Sequence, residues 1–210
     1  MSIEIAIIDY GMGNTFSIQS ALKYVGLNSS ITDKENEIMN SKAIILPGVG
    51  AFPKAMEKIK KKKLDKIILK AHKNNKIIIG ICLGLQLLFE KSYENKITKG
   101  LGILKGEVIY FKKRKDKKNK FNVGWNKIFL ESKNKDPNLK NLNNSKMYFI
   151  HSCYVKVSDR NIVTSYSKFN STKFTSSVKK NNVFAYQFHP EKSAINGLKI
   201  YKSIKKIIKS

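Results

Sequence analysis

The 210-residue chain predicts an α/β fold: a central, mostly parallel sheet flanked by helices, with antiparallel strands added in the second half. Three observations carry that expectation. From Ile3 to about Glu90, β-branched apolar runs alternate with helix-length segments, the rhythm of βαβ units. From Glu107 to Phe188 the rhythm changes to short strand-like runs between polar loops. Between the two, Gly80-Ile81-Cys82-Leu83-Gly84 joins a β-branched run to an apolar, helix-forming segment, the strand-turn-helix pattern of a nucleophile elbow. No internal repeat appears and the length suits one core, so residues 1–210 read as a single domain.

Ile3 to Asp9 reads as a buried first strand, nearly continuous in apolar residues as parallel strands are. The turn Tyr10 to Asn14 leads to a helix over Ser17 to Val25 stopped by Gly26. Its Gly11-X-Gly13 lacks the third glycine of a dinucleotide fingerprint, so no nucleotide cofactor is expected from it. A short strand near Asn28 to Thr32 and a polar helical stretch from Lys34 to Asn40 follow. Ala43 to Leu46 is the third strand, and it empties into Pro47-Gly48-Val49-Gly50. Such a loop after a strand can turn backbone N–H groups toward an anion, because glycine permits the dihedrals this needs. Pro53 to Lys73 carries Met56, Ile59, Leu64, Ile67, Ile68 and Ala71 at helical spacing and reads as one or two helices. Ile77 to Ile81 is the strand before the elbow. Strand-like runs in the second half are Glu107 to Phe111, Val123 to Phe129, Met147 to Val157, Ile162 to Tyr166, Phe174 to Val178 and Val183 to Phe188. Two Lys/Asn-rich loops, Lys112 to Asn122 and Glu131 to Ser145, are expected to be mobile. Ala194 to Ile208 closes the chain as a helix with Leu198, Tyr201, Ile204 and Ile208 on one face.

In the elbow, glycines two residues either side of Cys82 let strand and helix approach closely and leave the strained central residue thrust into solvent. The helix that follows directs its positive end at the sulfur and favours the thiolate. Far along the chain, the strand Val183 to Phe188 ends in His189-Pro190-Glu191. Residues two apart in extended chain project to one side, so His189 and Glu191 can share a face. Imidazole is the usual base for a thiol nucleophile, and a carboxylate orients the ring and stabilises its cation. Cys82, His189 and Glu191 therefore form a complete triad. The second cysteine, Cys153, reads as a core residue of a strand.

The net charge of +26 invites a nucleic-acid partner, but the basic residues are nearly all Lys, with Arg114 and Arg160 the only arginines. Base and phosphate forks are usually built with Arg, and runs such as Lys60 to Lys63 and Lys112 to Lys120 read as solvated faces, so no nucleic acid is expected. No apolar run approaches membrane-spanning length, and two cysteines form no disulfide framework; the expectation is a cytoplasmic protein with no membrane association.

The strings GICLGLQLLFEKS and QFHPEKS, about a hundred residues apart, resemble the class I glutamine amidotransferases, and IAIIDYGMGN, LPGVGAF, GLGILKG, GWN and YFIHS resemble within them the glutaminase subunits of imidazole glycerol phosphate synthases. The resemblance covers about Ile3 to Tyr201. It implies a flavodoxin-like fold, a Cys82 thiolate attacking the side-chain amide of glutamine, and His189 as proton carrier. It places the oxyanion on backbone N–H groups of Leu83 and, after rearrangement of the Pro47 to Gly50 loop, of Val49 or Gly50. Gly48 and Gln86 match glutamine-binding positions. Asn14, Trp125, Asn126 and Tyr148 match positions at a partner interface or ammonia gate, although residue type alone reads Trp125 as core. His151 lies near the same region. The implied partner is a (β/α)8-barrel cyclase in a heterodimer of histidine biosynthesis, and no metal or cofactor is required. Two departures, Asn122-Val123 where the family usually has His-Met and Thr15-Phe16 after Asn14, fall at that interface. They leave open a related barrel of surface-polysaccharide biosynthesis. A non-enzymatic basic binding module is disfavoured by the intact triad.

Overall fold

Alternation inside the early strands decides how the layers form. A computed structural model describes residues 3–111, 121–133 and 136–209. The run Lys112 to Lys120 lies outside them. In chain order the first half comprises β1 (Ile5–Ile8), α1 (Thr15–Tyr24), β2 (Ser29–Thr32), α2 (Glu35–Asn40), β3 (Ala43–Leu46), α3 (Phe52–Lys61), α4 (Leu64–Lys73), β4 (Ile77–Ile81) and α5 (Leu83–Leu87). The stretch expected as one or two helices is two, broken at Lys63, whose φ of 56° lies in the left-handed region that ends helices. The second half comprises β5 (Phe89–Ser92), β6 (Thr98–Lys99), β7 (Leu104–Tyr110), β8 (Asn122–Lys127), β9 (Phe129–Leu130), β10 (Lys146–His151), β11 (Cys153–Val157), β12 (Val163–Phe169), β13 (Thr172–Lys180), β14 (Val183–Tyr186) and α6 (Ala194–Lys209).

The main sheet has the order β2-β1-β3-β4-β14-β13-β12-β9. Its first five strands are parallel, and β14 seats beside β4 with Tyr186 opposite Ile81. From β14 outward the pairings turn antiparallel. Ala6, Ile8, Ile44, Leu46 and Ile78 face one side and pack with Met56, Ile59 and Ile68 of α3 and α4. Ile5, Ile7, Ile45, Ile79 and Ile81 face the other and pack with Ile18 and Leu22 of α1 and Ile200, Tyr201 and Ile204 of α6. Each such isoleucine or leucine contributes about 1.5–3 kcal/mol on burial, and a one-residue slip would send every side chain to the wrong layer.

Two smaller sheets, β10-β8 and β11-β7-β5-β6, flank the main one. They account for the departures from expectation. The apolar segment after the elbow reads as helix-forming, but α5 is little more than one turn and Phe89–Ser92 joins a sheet beside β7. Tertiary pairing overrides helix propensity there. The single run expected over Met147 to Val157 is two strands, in different sheets, divided at Ser152. Within Glu131 to Ser145, expected as a loop, a 3-10 turn at Pro137–Leu139 is capped by Asp136, and Asn138, Leu139 and Leu142 are buried.

The first four strands and β14 follow the order 2-1-3-4-5 of doubly wound sheets, whose ligand crevices lie beyond the carboxyl ends of the strands. Tyr10, Pro47 to Gly50, Cys82 and His189 follow the carboxyl ends of β1, β3, β4 and β14 in turn.

Candidate active site

Cys82 is the pivot between β4 and α5, with φ 54° and ψ −107°. For a residue with a Cβ this is a costly conformation, held by the surrounding packing, and the Cys82 amide donates to the Tyr186 carbonyl at 2.7 Å. The flanking glycines are required by proximity. A Cβ on Gly84 would lie 1.8 Å from the Leu46 carbonyl oxygen, and one on Gly80 would lie 3.0 Å from the Gly84 backbone. The sulfur is not thrust into solvent as expected. Cys82 is only 5% exposed, because the two-stranded sheet closes over the elbow and brings the Ile150 carbonyl to 3.6 Å from Sγ.

His189 and Glu191 arrive from the neighbouring strand. β14 ends at Tyr186, and Pro190 opens a 3-10 turn that carries Glu191 back beside the ring. Glu191 Oε1 sits 2.7 Å from His189 Nδ1, with both side chains almost sealed from water. Ser193 steadies the turn by donating to the His189 carbonyl at 2.6 Å. Nδ1 is committed to the carboxylate, while His189 Nε2 is buried and makes no hydrogen bond among the described residues. Burial by itself favours a neutral ring, but the neighbouring Cys82 and the bond and charge of Glu191 outweigh it and raise the His189 pKa to about 10. The arrangement is an imidazole ring favoured in its cationic form, held between the Cys82 sulfur and the Glu191 carboxyl group.

The Pro47 to Gly50 loop lies against the elbow. Tyr10 Oη donates to the Pro47 carbonyl at 2.8 Å. Gly48 is so close that a Cβ there would meet Leu83 Cβ at 2.6 Å. Val49 and Gly50 are exposed, and Gly50 has φ 95°. Gln86 is buried, and its Nε2 donates to the Cys153 carbonyl at 2.9 Å and to Gln187 Oε1 at 3.1 Å. Gln187 did not emerge from the sequence. It is wholly buried with Nε2 3.8 Å from Cys82 Sγ, and its position two residues before His189, just past the end of β14, was the available signal.

Asn14, at the N-terminus of α1, caps with its backbone carbonyl only. Trp125 is 49% exposed, so the reading of it as core from residue type alone is corrected. It meets Tyr148 edge-on at 5.9 Å across β8 and β10, where the register sets Tyr148 opposite Trp125 and Ile150 opposite Val123. Val123, Trp125 and Ile150 are exposed and Tyr148 half-buried, an apolar ladder on the outer face of the strands that cover the thiol. Asn126 Nδ2 donates to Asn122 Oδ1 at 2.5 Å. His151 is buried, with Nε2 2.9 Å from Asn122 Nδ2 and Nδ1 2.8 Å from the Cys153 carbonyl. Burial holds its pKa down to about 4, so the ring is neutral. Cys153 is buried in β11, and burial pushes its thiol up to about 12. Among the described residues no group of His, Cys, Asp and Glu is disposed to hold a metal ion, and no helix is long and apolar enough to cross a membrane.

Residues 6–201 match the family described as glutamine amidotransferase class-I. The chain is 44% identical over 207 residues to imidazole glycerol phosphate synthase subunit HisH of Caldanaerobacter subterraneus subsp. tengcongensis, covering 98% of each chain. It is 40% identical over 199 residues to the protein of the same name from Bacillus subtilis, covering 93% of this chain and 92% of the relative. Among solved structures, one titled structure of PurLQS from Thermotoga maritima superposes with a TM-score of 0.76 at 22% identity, covering 99% of both chains. A crystal structure of a glutamine amidotransferase gives 0.74 at 15% identity, covering 99% of this chain and 100% of the other. At those identities the structures speak for the fold.

Proposed function

The chain belongs to the class-I glutamine amidotransferases, and from that premise we propose that it is the glutaminase subunit of an imidazole glycerol phosphate synthase, delivering ammonia to a (β/α)8-barrel cyclase in histidine biosynthesis. One observation carries the reading. A strained cysteine meets an imidazole and a carboxylate that lie more than a hundred residues further along the chain, in a sealed site at the carboxyl ends of two adjacent strands.

The chemistry follows from the charges. The Cys82 thiolate attacks the side-chain amide carbon of glutamine, forming a C–S bond and an oxyanion. That charge is received by the Leu83 N–H and, once the Pro47 to Gly50 loop has turned, by the N–H of Val49 or Gly50. The oxyanion collapses, the C–N bond breaks, and His189 gives its Nε2 proton to the departing nitrogen, which leaves as ammonia. The neutral ring then takes a proton from water as the water attacks the γ-glutamyl thioester, releasing glutamate and restoring the thiolate-imidazolium pair. Glu191 holds the ring and stabilises its cation in both half-reactions. Gly48 and Gln86 match the family's glutamine-binding positions and are assigned that role here.

The apolar ladder of Val123, Trp125, Tyr148 and Ile150, with Asn126 on the same strand as Trp125, supports the partner assignment. An exposed aromatic pair on the strands that roof the thiol is where a barrel would dock and receive ammonia before it reaches water. The relatives at 40–44% identity bear the histidine-pathway name, which favours that barrel over one of surface-polysaccharide synthesis. The test is glutamate release with and without a co-expressed cyclase barrel. Release is expected to be weak alone and strongly raised by the barrel, and Cys82→Ala is expected to abolish it while added ammonia still supports the cyclase. Glutamine-dependent turnover retained in Cys82→Ala would overturn the mechanism.

A further inference from the structure

A buried amide next to the nucleophile has no part in the reaction as derived above. Gln187 continues β14 beyond Tyr186, and its backbone N–H is bonded to the Ser176 carbonyl at 2.8 Å, so the side chain is held from a fixed point in the sheet. It is wholly buried. The orientation of its amide is forced by a chain of hydrogen bonds anchored at a group that can only accept, the Cys153 backbone carbonyl. Gln86 must present Nε2 to that carbonyl at 2.9 Å, and the second hydrogen of the same nitrogen goes to Gln187 at 3.1 Å. Gln187 must therefore present Oε1 to Gln86, which turns its own Nε2–H toward Cys82 Sγ at 3.8 Å. The carbonyl is itself held by His151 Nδ1–H at 2.8 Å, whose Nε2 accepts from Asn122 Nδ2 at 2.9 Å. A reversed Gln187 amide would set oxygen against sulfur and leave the Gln86 hydrogen facing a donor.

We propose that Gln187 is a hydrogen-bond donor to the Cys82 thiolate, oriented for that purpose by Gln86 and the Cys153 carbonyl, and that it sustains the reactive ionic form together with His189. The assignment rests on Cys82 being the nucleophile of the reaction proposed above. The other groups around the sulfur leave this role open. His189, from the turn after β14, supplies the cation. Tyr10, beyond the end of β1, stays protonated, because burial and the Cys82 charge both raise its pKa. His151, on β10, is neutral. The Ile150 carbonyl at 3.6 Å can only accept, so it favours S–H over the thiolate. Gln187 opposes that carbonyl with a neutral donor whose direction does not vary with pH, and it lies in the segment after β14 that also carries His189.

The test is the rate of carbamidomethylation of Cys82 by iodoacetamide across pH 5 to 10, read by mass spectrometry on the peptide containing Cys82 in the intact chain. No glutamine is needed. Gln187→Met conserves volume and removes the donor. The half-maximal pH is expected to rise by about one unit, equal to a tenfold loss of thiolate on the acid side. Gln187→Glu keeps the shape and the acceptor for Gln86 but sets a carboxylate oxygen against the sulfur, and is expected to raise the half-maximal pH at least as far. An unchanged half-maximal pH in a folded Gln187→Met protein would overturn the proposal. Should that variant fail to fold, an unchanged value in Gln187→Glu would do the same. A wild-type chain with no glutamate release in the presence of the barrel, but with both shifts intact, would refute the glutaminase reading and leave the donor at the sulfur supported.

Discussion

Replacing Glu191 by glutamine isolates the charge of the triad's third member. Glu191 Oε1 lies 2.7 Å from His189 Nδ1 in a site closed to water, and the glutamine amide oxygen can still accept from Nδ1–H, so the ring keeps its tautomer and loses only the anion beside it. Bonds to charged groups contribute about 1.5–3 kcal/mol, roughly twice a neutral bond. Losing the charge while keeping a neutral bond removes about half of that, about 0.75–1.5 kcal/mol of stabilisation of the imidazolium, and lowers kcat/KM for glutamate release by about 4- to 13-fold. The pH dependence gives a second readout. His189 is raised to about 10 against burial, with Cys82 and Glu191 supplying the pull, so Glu191→Gln is expected to move the alkaline limb of kcat/KM to lower pH. Stability follows the same sign. A histidine whose folded pKa is raised contributes stability in full below its unfolded pKa of about 6.5, and loses it as pH rises through about 10. The fall in melting temperature between pH 7 and 10.5 is therefore expected to be shallower in Glu191→Gln than in the wild type. A folded Glu191→Gln protein with wild-type kcat/KM and an unmoved alkaline limb would refute the assignment of Glu191 to the ring's cation.

Gly84→Ala places a Cβ 1.8 Å from the Leu46 carbonyl oxygen, a backbone clash that neither β3 nor the elbow can relieve by a rotamer change; it is expected to cost on the order of 3 kcal/mol or more in urea unfolding, and a wild-type midpoint would contradict the close approach. Trp125→Ala removes a side chain that is half exposed, so the melting temperature should hardly move while affinity for the barrel falls by about 2 kcal/mol, roughly 30-fold, in a calorimetric titration. Equal affinity would remove the ladder from the docking surface. Asp136 is held up to about 6 by burial, although bonds from Asn138 and Tyr186 oppose the shift. A carboxyl raised in the fold contributes stability at low pH that is lost as pH rises from about 4 through 6. Asp136→Asn is expected to abolish that loss and to stabilise the chain by about 2–3 kcal/mol at pH 8 relative to pH 4, measured by unfolding at the two values.

The residues of the proposed triad were legible in the chain because their signals are local. Cys82 is announced by its flanking glycines, and His189 and Glu191 by a two-residue spacing after an apolar strand. Both signals are properties of a few consecutive residues. Gln187 and the orientation of Gln86 were not legible, because their roles arise from contacts across a hundred residues or more and from a backbone carbonyl that no sequence pattern marks. Trp125 was ambiguous for a related reason. An aromatic residue on a strand has the same local signature whether its face is covered or open, and only the pairing of β8 with β10 at the edge of the site leaves it outside.

What the sequence by itself determined is the period of the elements, the elbow, the candidate triad of Cys82, His189 and Glu191 and the family resemblance that implies glutamine as substrate. Periodicity, glycine placement and functional-group chemistry act within a few residues and need no partner. Only the tertiary structure decided that α5 stops after a turn, because Phe89–Ser92 finds a strand to pair with. It also decided that the thiol is roofed rather than presented to water, because β10 lays the Ile150 carbonyl over it. Pairing between distant strands fixes solvent access and hydrogen-bond direction at the Cys82 sulfur.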